Sequence, residues 1–385
     1  MAGGAGNAAA AALPAPPATA TSTDFRFQLV SDLHLEFSMV EDMSTLVTPV
    51  APYLIVAGDT VPVAYYRARL DTFLASVAPK FRHVFVIAGN HEYYNPGIPV
   101  TVSRGEDGKP QVRLREKVLT CDGVDAALAA SCAALPNVSF LQKSAAYIDG
   151  KGCVRIMSVD AICSERSGAN ETGISTTEPA VCLLGCTLWS AIPPHARISV
   201  TGYLADYKLL LPDSLAASIE SGDHDIKTRA QALDALCDAT HAYTTRKHEE
   251  HFEWLMMAAR RTLRTEGLSV VVVTHHTPSF DGTSAPMFRT PLHSVTTHGF
   301  STALEFLFAK YSGTDNSTIA AWCFGHTHFN MREHRSGTLL TSNQRGYVRA
   351  SSDAGDGFDE GDAGNMGAAF NPGFQFQVRT DGTAV

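Results

Sequence analysis

Long apolar runs are absent from this chain of 385 residues: no window offers the roughly 18 consecutive apolar residues that a membrane-spanning helix needs, so no membrane partner is expected. Basic charge is scarce as well. Lys and Arg total 30 against 39 Asp and Glu, a formal net charge of −9, which leaves no cationic stripe to track a long nucleic acid. Missing too is any C-x-x-C pair among the eight cysteines, several of which lie inside apolar runs. They read as reduced, buried thiols rather than a disulfide framework. Residues 1–23 contain neither arginine nor a Leu/Val/Phe core, which argues against a secretory or mitochondrial leader and for a cytoplasmic location. Rich in Ala and Pro, they read as a disordered tail, and the Gly/Asp-rich stretch 350–385 reads as mostly flexible.

Between these tails the composition is that of an ordinary globular protein, and we read one domain, 24–349, with insertions near 96–117 and 163–265. Regular structure starts at Phe25, where FRFQLV alternates and then turns apolar. Tyr53–Ala57 and His83–Ala88 are further short apolar runs. Between them, YYRARLDTFLASVAP has the three-to-four spacing of a helix stopped by Pro79. Later strands are expected at 154–159, 181–188, 269–274, 319–324 and 338–342, and helices at 123–135, 226–265 (continuous or broken) and 301–312. The stretches 96–117 and 163–180 read as inserted loops. Buried strands alternating with helices make this an α/β fold with parallel strands at its centre.

Polar residues follow the strands in a regular way. Asp32 and His34 come after the first, Asp59 after the second, and Asn90 and His91 after the third. His275 and His276 follow VVVVT, and His326 and His328 follow AAWCF. The carboxyl ends of strands are where an open α/β sheet binds ligands. Any one of these residues alone is an ordinary turn or capping residue. Five such strand ends together place carboxylates and imidazoles on one rim, an arrangement that is unfavourable without a cation and favourable with one. The donors are oxygen and imidazole nitrogen with no thiolate, which suits Zn, Fe or Mn rather than a structural Cys site.

Taken in order, Asp32-Leu-His34, Gly58-Asp59, Gly89-Asn-His-Glu92, His275 and Gly325-His-Thr-His328 resemble the calcineurin-like metallophosphoesterases, from about residue 25 to 347. The resemblance implies a four-layer α/β/β/α sandwich with its metal site at the strand C-terminal ends. It implies two divalent or trivalent metal ions, one held by Asp32, His34 and His328, the other by Asn90, His275 and His326, with Asp59 bridging both. His91 would face the substrate as the catalytic residue and bind no metal. His276 stands where many members have glycine. Three further stretches resemble one subgroup of these phosphoesterases: Leu184–Trp189 with Asp206-Tyr207, His251–Leu255, and Asn343-Gln-Arg-Gly-Tyr347. They specify no substrate. His276, Asn343 and Arg345 are candidate substrate-binding residues, although Asn343 and Arg345 read equally well as loop caps. Glu92 is expected to accept from a metal-bound histidine and Glu36 to support its loop.

The activity this implies is metal-dependent hydrolysis of a phosphate ester, either a monoester or a small diester. The attacking hydroxide would be shared by the two ions, with no covalent enzyme intermediate. Two other classes compete. A catalytically silent metal-binding scaffold on the same fold predicts missing ligand positions, and all are present here. A nuclease is disfavoured by the net charge. The expected partner is a small phosphate ester; no oligomeric state follows from the sequence. The long segment between Asn90 and His275 is expected to roof the cleft and set specificity.

Overall fold

The computed structural model describes residues 25–38, 40, 42–167, 178–290, 293–308, 319–347 and 368–385. Its strands in chain order are β1 (Phe25–Val30), β2 (Tyr53–Ala57), β3 (His83–Ile87), β4 (Val100–Arg104), β5 (Pro110–Leu114), β6 (Val138–Phe140), β7 (Ser144–Ile148), β8 (Val154–Met157), β9 (Ala180–Cys186), β10 (Leu268–Thr274), β11 (Ile319–Phe324), β12 (Arg332–Arg335), β13 (Thr338–Ser342) and β14 (Gln375–Val378). The helices are α1 (Val63–Val77), α2 (Cys121–Ala133), α3 (Val159–Arg166), α4 (Arg197–Tyr203), α5 (Asp206–Leu209), α6 (Asp213–Ser221) and α7 (Arg229–Thr262).

Two sheets carry the fold, ordered β14-β1-β2-β3-β6 and β12-β13-β11-β10-β9-β7-β8. Pairings are parallel along β1-β2-β3-β6 and along β13-β11-β10-β9, and antiparallel for β14–β1, β12–β13, β9–β7 and β7–β8. Strands β2, β9 and β11 are buried at every residue, which is why their sequences are apolar without alternation. One core joins the sheets face to face: Phe27, Ile55 and Phe85 of the first meet Leu183, Val271 and Ala321 of the second. The opposite face of the first sheet packs Leu54, Val56 and Val84 on Leu70 and Phe73 of α1 and Leu128 of α2. The opposite face of the second packs Leu184 and Val272 on Leu255 and Ala258 of α7 and Ile162 of α3. The sheets are therefore flanked by helices, with each large aliphatic burial worth roughly 1.5–3 kcal/mol.

Several elements differ from the sequence expectation. The 226–265 helix is unbroken as α7, started by a capping box in which Thr228 and Gln231 satisfy each other's backbone N–H. The 154–159 strand stops at Met157, because the Ser158 side chain caps α3 by accepting from the Ala161 N–H. The expected loop 96–117 holds the hairpin β4–β5, anchored where Val100 joins Leu215 and Leu236. Of the expected 163–180 loop, Cys163–Arg166 close α3 and 168–177 lie outside the described residues. Of the expected 301–312 helix, only the short 3-10 turn Glu305–Leu307 forms within the described residues.

The tail expected to be flexible over 350–385 returns as β14, with Phe376 opposite Phe27 and buried. Residues 350–367 and the expected tail 1–23 lie outside the described residues. The eight cysteines are free; five are buried and Cys153 is exposed. No helix among the described residues is long and apolar enough to cross a membrane.

Candidate active site

Strained backbone marks the rim where the two sheets end. Asp32, His34, Asp59, His326 and His328 have φ between +43° and +75°. They are half of the ten non-glycine residues with positive φ among the described residues. Such conformations are unfavourable and persist where surroundings over-determine them. Here the surroundings are hydrogen bonds between strand ends. The Asp32 N–H donates to the Gly58 carbonyl at 3.0 Å, the His34 N–H to Asp59 at 3.0 Å, and the Gly325 N–H to His275 at 2.9 Å. Close approach also demands glycine at two motif positions. A Cβ on Gly89 would overlap Asp59 Oδ1, and one on Gly325 would sit 2.5 Å from Asp32 Oδ2.

These turns gather the predicted ligands into two groups, Asp32–His34–His328 and Asp59–His275–His326, each with donor atoms within 4.8 Å of one another. In the first, His328 Nε2 lies 3.4 Å from Asp32 Oδ1 and 2.9 Å from His34 Nε2. In the second, His275 Nε2 lies 3.3 Å from Asp59 Oδ2 and 3.1 Å from Asn90 Oδ1. Asp59 Oδ2 is also 3.9 Å from His34 Nε2, so this carboxylate stands between the groups. The ring tautomer and amide orientation follow from outer partners. His275 Nδ1 donates to the Ala57 carbonyl at 2.8 Å, leaving Nε2 as an acceptor at the centre. Asn90 Nδ2 donates to Asp206 Oδ1 at 2.8 Å, which turns Asn90 Oδ1 inward.

The electrostatics of this centre call for positive charge. Burial alone would raise the Asp59 carboxyl, but His275 and His91 outweigh it and hold Asp59 well below the usual range. Burial would depress His275, yet Asp59 brings it up to about 10. His326 goes the other way, pulled down to about 3 by burial and by His275, and its buried Nε2 has no hydrogen-bond partner. A divalent cation satisfies all three: it supplies charge to the carboxylates and takes the lone pairs of neutral imidazoles. The donor set therefore fits metal ions.

His91 lies beside the two groups without joining them. Its Nδ1 is 3.0 Å from Glu36 Oε1, its Nε2 3.1 Å from the Tyr347 hydroxyl, and its N–H donates to Asp59 Oδ1 at 2.8 Å. Burial lowers His91, but Asp59 and Glu36 prevail and raise it to about 9. Glu36 Oε1 also meets His34 Nδ1 at 3.3 Å, so Glu36, not Glu92, is the carboxylate that steadies a predicted ligand histidine. Glu92 accepts instead from the backbone N–H groups of Asp59, Thr60 and Gly89, fixing the β2 and β3 turns to each other.

The remaining candidates also have partners within the protein. Asn343 is buried, donating to the Leu29 and Asn371 carbonyls and accepting from the Asn371 N–H, so it stitches strands together. Arg345 donates to the Leu33 carbonyl at 3.1 Å and to Ser38 Oγ at 3.3 Å, bracing the loop after β1. His276 is buried, bonded through Nδ1 to Ser190 Oγ at 2.8 Å and stacked 4.2 Å from His326, which makes it a prop for that ring.

Three contributors were not singled out as site residues by the sequence reading. Gln344 Oε1 accepts from the His328 N–H at 2.6 Å. Asp206 orients Asn90, and Tyr347 packs 4.4 Å from the His34 ring. Gln344 and Tyr347 lie in the Asn343–Tyr347 motif, which signalled them as a block but not their individual roles.

Comparison with known proteins places this geometry. Across 333 residues the chain is 20% identical to uncharacterized protein L509 of Acanthamoeba polyphaga mimivirus, a match covering 83% of this chain and 90% of that protein. Among solved structures it is similar to the phosphopantetheinyl hydrolase PptH of Mycobacterium tuberculosis, with TM-score 0.47 and 14% identity over 85% of this chain and 91% of that one. A putative 5'-nucleotidase from Staphylococcus aureus gives TM-score 0.36 and 11% identity over 83% of this chain and 48% of that one. At such TM-scores neither structure carries the argument. Residues 25–126, which include Asp32, His34, Asp59, Asn90 and His91, match the family model described as calcineurin-like phosphoesterase, so this part of the chain bears that family's signature.

Proposed function

We propose that the protein hydrolyses a small phosphate ester at a centre of two metal ions. The observation that carries this reading is Asp59, whose carboxylate belongs with His275 and His326 and also approaches His34 of the other donor group, with His91 alongside. Asp32, His34 and His328 would hold one ion, and Asn90, His275 and His326 the other, with Asp59 common to both. When bound, such ions supply Lewis acidity and lower the pKa of water.

The chain's own residues do the rest. Glu36 fixes the His91 ring through Nδ1, and Nε2 faces the cavity beside Tyr347. From there His91 donates to the oxygen of the leaving group as negative charge builds on it. Asp206 keeps Asn90 Oδ1 turned inward, and the Ala57 carbonyl keeps the His275 proton on Nδ1. The proposed attack on phosphorus is direct, with no side-chain nucleophile. A silent scaffold is the weaker reading, because every motif position keeps a donor. Hydrolysis of a chiral phosphorothioate tests the mechanism: inversion at phosphorus is expected, whereas retention means a covalent intermediate and contradicts it.

A further inference from the structure

The cavity that opens beside His91 is aromatic. It has a volume of about 430 Å³ and is lined by Phe37, Tyr65, Tyr66, Tyr94 and Tyr347 together with His91 and Glu36. That size is within the range of small-molecule sites. Phe37, Tyr65 and Tyr66 are 48%, 54% and 39% exposed, three of the nine large hydrophobic side chains exposed among the described residues. Their gathering at one opening calls for an explanation, because exposed apolar groups otherwise scatter singly. The backbone is adapted to it: α1 has a non-helical residue at Tyr66, with φ −117° and ψ 22°, in its first turn.

Charge narrows the occupant. Among the described residues neither lysine nor arginine lines the cavity, and its acidic and imidazole groups, Glu36 and His91, are paired with each other at 3.0 Å. A second phosphate or carboxylate would find no counter-charge there. The polar wall residues are already engaged: Asn95 bonds to the Leu119 and Leu209 backbone, and the Tyr94 hydroxyl donates to Asp206 at 2.6 Å. Apart from the Tyr65 and Tyr66 hydroxyls and the buried Glu36 Oε2, what remains is ring faces, which favour a flat, uncharged π-system.

Resting on the phosphoesterase reading, we infer that this cavity receives an uncharged aromatic group, aryl or nucleobase, on the leaving-group side of the ester. The aromatic group would lie against Tyr65, Tyr66 and Phe37, while the ester oxygen faces His91.

The test compares esters whose leaving oxygens have similar intrinsic reactivity: 2-phenylethyl phosphate against ethyl phosphate, and uridine 5'-phosphate against ribose 5-phosphate, on the metal-loaded protein. Stacking on aromatic side chains predicts a preference in kcat/KM of about tenfold or more in at least one pair. A preference in the first pair alone identifies a simple aryl group, and in the second alone a nucleobase. Tyr65→Ala, and the Tyr65→Ala/Tyr66→Ala pair, should shrink that ratio to about threefold or less. A parallel calorimetric arm measures binding of 2-phenylethylphosphonate and ethylphosphonate, which cannot be hydrolysed at the ester position. Turnover without preference in either pair overturns the aromatic cavity and leaves the phosphoesterase reading standing. Absence of turnover, on these esters and on bis-p-nitrophenyl phosphate alike, with tighter binding of the phenylethyl compound overturns the phosphoesterase reading and keeps the cavity. Neither turnover nor differential binding overturns both.

Discussion

Replacing Asp206 by alanine separates a role in positioning a metal ligand from a merely structural one. The carboxylate is 2% exposed, and its Oδ1 takes two hydrogen bonds, from Asn90 Nδ2 at 2.8 Å and from the Tyr94 hydroxyl at 2.6 Å. Hydrogen bonds to a charged group contribute about 1.5–3 kcal/mol each, a gross loss of about 3–6 kcal/mol. Part is offset, because burial disfavours the ionised carboxyl and pushes Asp206 up. A net destabilisation of about 2–3 kcal/mol is expected, read as a shift of the guanidinium midpoint at unchanged slope. The more telling effect is on Asn90. Without Asp206 the amide keeps only the Tyr94 hydroxyl, at 3.1 Å, as an acceptor and Oδ1 can turn away from His275; loss of such an orienting partner weakens metal affinity about 10- to 100-fold. Calorimetric titration of metal-stripped protein with Mn²⁺ should show one of two binding events weakened and the other retained. Asp206→Asn, which keeps an acceptor oxygen, should recover most of that affinity. Two events at wild-type affinity in the alanine variant, with only stability reduced, would refute the reasoning.

Gly89→Ala should abolish turnover while costing about 1–3 kcal/mol of stability, because the added methyl overlaps Asp59 Oδ1 and lies 2.7 Å from the Asp59 nitrogen; an active, equally stable variant would contradict the packing. Stability should also fall with acid through His251, whose buried Nδ1 accepts the Leu188 N–H and whose pKa burial pushes down to about 3. The folded value lies below the unfolded one, so this contribution is fully present above about pH 6.5 and is lost as pH falls toward 3. Between pH 6.5 and 5 it amounts to at most about 2 kcal/mol. His251→Gln, whose amide oxygen can accept the same N–H, should flatten the dependence of the denaturation midpoint on pH; an unchanged slope would count against it.

Much of the site was legible because metal chemistry and buried strands leave linear traces. Asp32, Asp59, Asn90, His275 and His326 each follow within three residues of an apolar run, and the runs are the parallel strands β1, β2, β3, β10 and β11. What escaped depends on contacts distant in sequence. The Asp206 side chain gains its meaning from Asn90, 116 residues away, and Tyr347 from His91, 256 residues away. The loop contacts of Asn343 and Arg345 were not legible, because a polar residue after a strand looks alike whether it faces a ligand or ties down a neighbouring loop. The hairpin β4–β5 was hidden by its largely exposed residues, and β14 by the Gly/Asp-rich stretch before it. Neither shows an apolar run long enough to mark a strand, since each borrows its stability from β1 or from α6 and α7.

The central claim is that Asp59 joins two ions into one hydrolytic centre, and Asp59→Asn tests it most directly. Wild-type and variant protein are reconstituted with metal, their bound metal is counted, and both are assayed on p-nitrophenyl phosphate and bis-p-nitrophenyl phosphate. The account predicts two ions per wild-type chain, turnover of at least one ester, and loss of both the second ion and that turnover in the variant. A variant that keeps two ions and full activity would contradict it.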